Sequence, residues 1–162
     1  MSLIKKAENL KKIAEEILAE TNLKSILSEI GIVNIVGSFK FNVMCQPDID
    51  LTVNSDNPSL DKANEITNRL IDSGKFQSVA FTDMYNYDLE GKSRGFYWKL
   101  KVDKDGTFWK IDIWYSTKEE DFASKSTLKF ENLLNDNPEK REIILELKDW
   151  LKSTNYQYKH GG

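Results

Sequence analysis

The residues of this chain best suited to chemistry are carboxylates set in short apolar segments. Asp48 and Asp50 stand two apart in Asp48-Ile49-Asp50-Leu51, and nine residues separate them from the pair Gly37-Ser38. On a strand, positions i and i+2 project from the same face, so both carboxylates share a surface while Ile49 and Leu51 turn into the core. Two like charges this close each favour protonation unless a cation lies between them. A divalent ion removes that penalty, and magnesium binds one or two carboxylates together with phosphate oxygens. Gly37 lets the backbone approach a phosphate closely, and the Ser38 hydroxyl can donate to it. The pattern points to a metal–triphosphate site. Asp-x-Asp on a half-exposed strand and Gly-Ser after a strand are also common solvated features, and a third carboxylate separates the two readings. In Phe108-Trp109-Lys110-Ile111-Asp112-Ile113-Trp114, Ile111 and Ile113 share one face and Asp112 takes the other. If both strands lie in one sheet, Asp112 joins Asp48 and Asp50 on a single surface.

Other chemistries are excluded by what is missing. The one histidine, His160, stands near the end of the sequence, and there is one cysteine, Cys45. Histidine triads, zinc–histidine sites and internal disulfides are therefore out of reach. Cys45 reads as inert, so carboxylates must carry any catalysis. Lys and Arg number 23 against 26 Asp and Glu, a net charge of −3. Gripping extended nucleic acid by its backbone needs clustered positive charge, so such a partner is not expected, although a local basic patch stays open. No apolar run approaches the roughly 20 residues of a membrane span. Lys5 and Lys6 are followed by no uninterrupted apolar stretch, so no secretory signal is expected. The cytoplasm is the expected compartment.

The elements that must position these residues are legible from periodicity. Leu3, Ile4, Ala7, Leu10, Ile13, Ala14, Ile17 and Leu18 recur at helical spacing; Thr21-Asn22 interrupts, and a short second helix runs through Leu23, Ile26, Leu27 and Ile30 to Gly31. Ile32 to Val36 is a buried strand, Gly37-Ser38 a turn, and Ile49 to Val53 a second strand. A helix is expected over Leu60 to Ser73, ended by Gly74. Phe76 to Tyr87 reads as a strand, Leu89 to Arg94 as a loop and Gly95 to Val102 as a strand. Asp103-Lys104-Asp105-Gly106 is a hairpin turn into a strand over Thr107 to Tyr115. Ser116-Thr117 with Glu119 and Glu120 resembles a capping box that restarts helix near Lys118. Asn137-Pro138 opens a last helix to about Ser153. The expected fold is α/β (α+β), a mixed, largely antiparallel sheet backed by helices. It forms a single domain over 1–162, with a core over about 1–115, C-terminal helices over about 117–153 and a tail over 154–162.

Gly37-Ser38, the Asp48/Asp50 strand and Asp112 on a later strand resemble the DNA polymerase beta-type nucleotidyltransferase superfamily. Its pattern is a hydrophobic strand, Gly-Ser, a spacer, a hydrophobic Asp-x-Asp strand and a third Asp. The wording Pro47-Asp48-Ile49-Asp50-Leu51 is close to that of many small members. The resemblance implies magnesium-dependent transfer of a nucleoside monophosphate from a nucleoside triphosphate to a hydroxyl, with release of pyrophosphate. It implies that Gly37 and Ser38 cradle the phosphates and that Asp48, Asp50 and Asp112 are the catalytic, metal-binding set. Two magnesium ions, replaceable by manganese, would be held there, and ATP or another triphosphate would be the donor. Two metals stabilise the attacking and leaving oxygens of such a displacement, so the lack of catalytic histidine is no obstacle.

The chain departs from the family pattern after Gly37-Ser38, where Phe39-Lys40-Phe41-Asn42 holds no glycine. Lys40 is the candidate to replace a family arginine as a point charge on phosphate. Lys99, Lys101 and Lys110 are further lysines on the strands near Asp112; Lys110 shares its face and can screen the carboxylates. Trp109 and Trp114 read as packing residues. There is no room for template-binding domains, so a small-molecule or protein acceptor is expected. The alternative is a non-catalytic nucleotide- or partner-binding module, such as a toxin-neutralising subunit, that keeps the fold.

Overall fold

The computed structural model describes residues 1–86, 94–137 and 139–154. Helices α1 (Leu3–Glu20) and α2 (Leu23–Ser28) lead into strand β1 (Ile32–Val36), followed by a one-turn helix α3 (Gly37–Lys40) and β2 (Asp48–Asn54). Helix α4 (Leu60–Asp72) and β3 (Ser78–Asp83) precede the hairpin of β4 (Phe96–Lys104) and β5 (Thr107–Ser116), and α5 (Phe122–Asp136) and α6 (Lys140–Ser153) complete the order. The five strands lie in one sheet in the order β1-β2-β5-β4-β3. Pairings β1–β2, β3–β4 and β4–β5 are antiparallel and β2–β5 is parallel, so the sheet is mixed and largely antiparallel as expected.

Helices α1, α2 and α4 cover one face. Ala14, Ile17 and Leu18 of α1, Leu23, Ile26 and Leu27 of α2, and Ala63, Ile66 and Leu70 of α4 pack on Ile49, Leu51, Trp98, Leu100, Ile111 and Ile113. Each large apolar side chain buried there contributes roughly 1.5–3 kcal/mol, which holds β2 and β5 with one face down and the other free for polar groups. Trp109 is in this core, and the Trp98 indole N–H donates to Thr67 Oγ1 at 2.8 Å. The break between α1 and α2 falls at Asn22, which adopts φ 53°. The β4–β5 turn has Asp105 at φ 52° and Gly106 at φ 78°, the two positive φ values that a two-residue hairpin of matching twist requires.

Three boundaries differ from the sequence reading. Gly37-Ser38 opens the short helix α3 rather than a bare turn. Strand β3 is shorter than Phe76–Tyr87. Its chain turns away at Met84, and Asp83 accepts from the backbone N–H groups of Tyr85 and Asn86. The hydrogen bonds of a capping box do form between Thr117 and Glu120, but they close a turn instead of starting a helix, because Glu120 is also held by the Tyr85 hydroxyl at 2.8 Å. The helix begins later, with Asp121 as its N-cap accepting from Ser124 N at 2.8 Å. The expected loop over 89–94 lies, except for Arg94, outside the described residues, as do Pro138 and all of the expected tail except Thr154.

Candidate active site

The parallel register of β2 and β5 pairs Asp48 with Lys110, Asp50 with Asp112, and Thr52 with Trp114. Paired residues share a face, so the alternation on both strands sends the three carboxylates out of the same side of the sheet. One oxygen from each of Asp48, Asp50 and Asp112 lies within 4.8 Å of the others. A buried oxygen of Asp48, Oδ1, has no hydrogen-bond partner among the described residues and is 3.4 Å from Lys110 Nζ. The same ammonium is 2.8 Å from Asp112 Oδ2, and the Tyr97 hydroxyl donates to Asp112 Oδ1 at 2.7 Å. The expectation that Lys110 screens the cluster agrees with these distances.

Burial and crowding raise the proton affinity of the first pair. The Asp50 carboxyl is pushed up to about 6, first by burial and then by the charges of Asp48 and Asp112. Asp48 is raised by burial, with Lys110 opposing and Asp112 adding to the effect. Tyr97 lies well above the usual phenol range, because burial and its bond to Asp112 both disfavour the phenolate. Burial works against the Lys110 ammonium, yet its bonds and charges from Asp112 and Asp48 leave it above the ordinary value. Clustered, partly desolvated hard oxygens, one of them without a hydrogen bond among the described residues, suit a divalent ion such as magnesium. The residues present fit that ion.

Gly37 lies directly against Asp50. Its φ is +65°, and a Cβ there would meet Asp50 Oδ2 at 2.7 Å, so a side chain would push on the carboxylate itself. Helix α5 rests on the same side of β1 and β2. Thr127 Oγ1 accepts from Gly37 N at 3.3 Å, Ser124 and Thr52 hydroxyls meet at 3.0 Å, and Asn54 Nδ2 donates to Asp121 at 2.8 Å. Toward β4 the face is open: Lys99 and Lys101 are exposed, and Trp114 packs on Tyr97 with ring centroids 4.9 Å apart. Trp109 and Trp114 therefore differ, the first in the core and the second on the carboxylate face.

One contributor had no signal in the sequence. Lys148, on α6, donates to Ser38 Oγ at 2.6 Å and to Val43 O at 2.9 Å. Burial lowers its proton affinity, partly offset by Cys45, Asp50 and Asp48. Helix α6 reaches this position because Leu145 packs with Ala7 and Val43 and because Arg141 donates to Asn42 O at 3.0 Å. Lys40, by contrast, is exposed and pairs with Glu131 at 3.4 Å. Ser38 and Gly37 are thus brought to the carboxylates together with Lys148, and Lys40 faces α5. Cys45 is half-buried beside the same small apolar cluster.

No family model and no curated protein matches the chain. Solved structures do. A cytoplasmic RNA terminal U-transferase is 18% identical, with a TM-score of 0.60 over 93% of this chain and 44% of its own. The Cid1 RNA terminal uridylyl transferase is 19% identical, with a TM-score of 0.63 over 90% of this chain and 42% of its own. The Cid1 poly(U) polymerase bound to MgATP is 20% identical, with a TM-score of 0.60 over 91% and 43%. The chain spans less than half the length of each. The chain thus shares its fold with these RNA terminal uridylyl transferase structures over nine-tenths or more of its own length.

Proposed function

We propose that the protein is a nucleotidyltransferase that moves a nucleoside monophosphate from a nucleoside triphosphate to a hydroxyl of a small-molecule or protein acceptor. The observation that carries this reading is the convergence of Asp48, Asp50 and Asp112 within 4.8 Å, with Gly37 against Asp50. Asp48 and Asp50 would hold magnesium, which when bound supplies Lewis-acid polarisation of the triphosphate and charge neutralisation. Gly37 has no side chain to hold phosphates off, its N–H would exchange Thr127 Oγ1 for a phosphate oxygen, and Ser38 with Lys148 offers a hydroxyl and a cation. The acceptor oxygen attacks the α-phosphorus in line, the bond from that phosphorus to the bridging oxygen breaks, and pyrophosphate leaves with the electron pair. Asp112 takes the hydroxyl proton, and Tyr97 holds that carboxylate in place. The cytoplasm, rich in triphosphates and magnesium, is the compartment we propose; no helix among the described residues is long and apolar enough to cross a membrane.

Two observations favour other readings. The exposed Lys99 and Lys101 beside the Tyr97–Trp114 pair, together with neighbours that act on RNA, favour an RNA end as acceptor. The segment Phe39-Lys40-Phe41-Asn42, which departs from the family pattern after Gly37-Ser38 and in which Phe39 is buried in the core and Phe41 packs on Phe130, favours a non-catalytic binding module. Incubation with ATP, CTP, GTP and UTP labelled at the α-phosphate, with magnesium, separates the three. Label on a small molecule or protein supports the proposal, label on RNA the second reading, and metal-dependent binding without transfer to any acceptor the third.

A further inference from the structure

The three carboxylates are not equivalently compensated. Asp112 has both oxygens engaged, Oδ1 by the Tyr97 hydroxyl at 2.7 Å and Oδ2 by the Lys110 ammonium at 2.8 Å. Lys110 is held there by the sheet. It is the register partner of Asp48, its backbone N–H donates to Pro47 O at 3.1 Å, and its Nζ stands 3.4 Å from Asp48 Oδ1. Asp50, in contrast, forms no ion pair and no side-chain hydrogen bond among the described residues, and it sits tightly beneath Gly37. Negative charge is therefore unpaired on the Asp50 side of the cluster and already paired on the Asp112 side.

A magnesium ion bound to Asp112 Oδ2 at its usual distance of about 2.1 Å would crowd the Lys110 ammonium against a second positive charge. We propose that Lys110 is itself the acceptor-side cation, so that the loaded site holds one divalent ion, on Asp48 and Asp50, and none on Asp112. The inference rests on the metal-site reading above and departs from the two ions that the family resemblance implies. Lys110 then donates to the acceptor oxygen as negative charge develops on it, while Asp112 receives the proton.

Counting bound Mn2+ by electron paramagnetic resonance, with saturating α,β-imido-ATP or α,β-imido-UTP, tests this without any acceptor or turnover. The expected counts are one Mn2+ per protein-bound nucleotide in the parent protein, two in Lys110→Met, and one again in Lys110→Met/Asp112→Asn. Lys110→Arg, which keeps the charge, is expected to stay at one. Two ions in the parent protein, or one in a folded Lys110→Met, overturns the inference while leaving the metal site standing. No Mn2+ in either form overturns the metal site and the inference together. Should Lys110→Met fail to fold, Lys110→Gln takes its place and the parent count still decides.

Discussion

Asp50 and Asp112 are register partners across the parallel pairing of β2 and β5, although 61 residues lie between them in sequence. An antiparallel arrangement would have left the side of the sheet unchanged but not the alignment with both Asp48 and Lys110. The long connection through α4, β3 and β4 is what allows β5 to return parallel to β2. The core face of both strands is buried, so a one-residue slip would turn Asp112 into apolar surroundings and Ile111 and Ile113 out of them. The site is thus secured by the same burial that stabilises the fold.

Asp112 is expected to matter for the chemical step far more than for binding. Asp112→Asn is nearly isosteric, but it removes the proton acceptor and the charge that holds Lys110. Triphosphate affinity should stay within about threefold while turnover falls roughly 100-fold or more, the scale of a single electrostatic contribution realised in the transition state. Single-turnover rates beside calorimetric affinities check both halves. Near-normal turnover would leave Asp112 as an ordinary strand residue.

Asp50 should impose a pH dependence on the metal-free protein. Its carboxyl rises from 3.8 to about 6 on folding, chiefly through burial. A raised value means that the folded state binds the proton more tightly. The contribution is fully stabilising below 3.8 and is lost as pH rises through about 6. In chelator, Asp50→Asn should therefore be the more stable form at pH 7.5, by up to about 3 kcal/mol at 1.36 kcal/mol per pH unit, and should lose that advantage near pH 4. Manganese affinity of the parent protein should fall about tenfold per pH unit below pH 6, as protons compete for the carboxylate. Urea titrations at the two pH values check the sign, and a less stable Asp50→Asn at pH 7.5 contradicts it.

Much of this arrangement was readable from residue types. The alternation of Ile49 and Leu51 with Asp48 and Asp50, and of Ile111 and Ile113 with Asp112, encodes which face each carboxylate takes. Strand β1 and helix α4 follow from apolar runs with clear ends, but β1 lies at the sheet edge with Ile32 exposed and is not the buried strand its run suggests. Lys148 was not readable, because its place depends on how α6 packs against α1 and the segment 41–45, a tertiary contact with no local periodicity. The start of α5 was misread for a related reason. The Thr117–Glu120 hydrogen bonds are those of a capping box, and only the distant Tyr85 shows that they serve a turn.

Lys148→Met should weaken triphosphate binding by roughly 10- to 100-fold, in line with the roughly 1.5–3 kcal/mol of a hydrogen bond to a charged group. Binding of the corresponding monophosphate should be unchanged, since the ammonium lies by Ser38 rather than by the acceptor-side carboxylate. Competition titrations with the two ligands read the difference. Equal losses for both would assign Lys148 to the folding of α6 instead.

The central claim, a carboxylate site that joins a triphosphate to the protein through a divalent ion, is tested most directly by calorimetry of nucleotide binding with magnesium and with chelator. At least one of ATP, CTP, GTP and UTP is expected to bind at least tenfold more tightly with magnesium, and Asp48→Asn/Asp50→Asn should abolish the difference. Equal affinity with and without the ion for all four nucleotides would contradict the account.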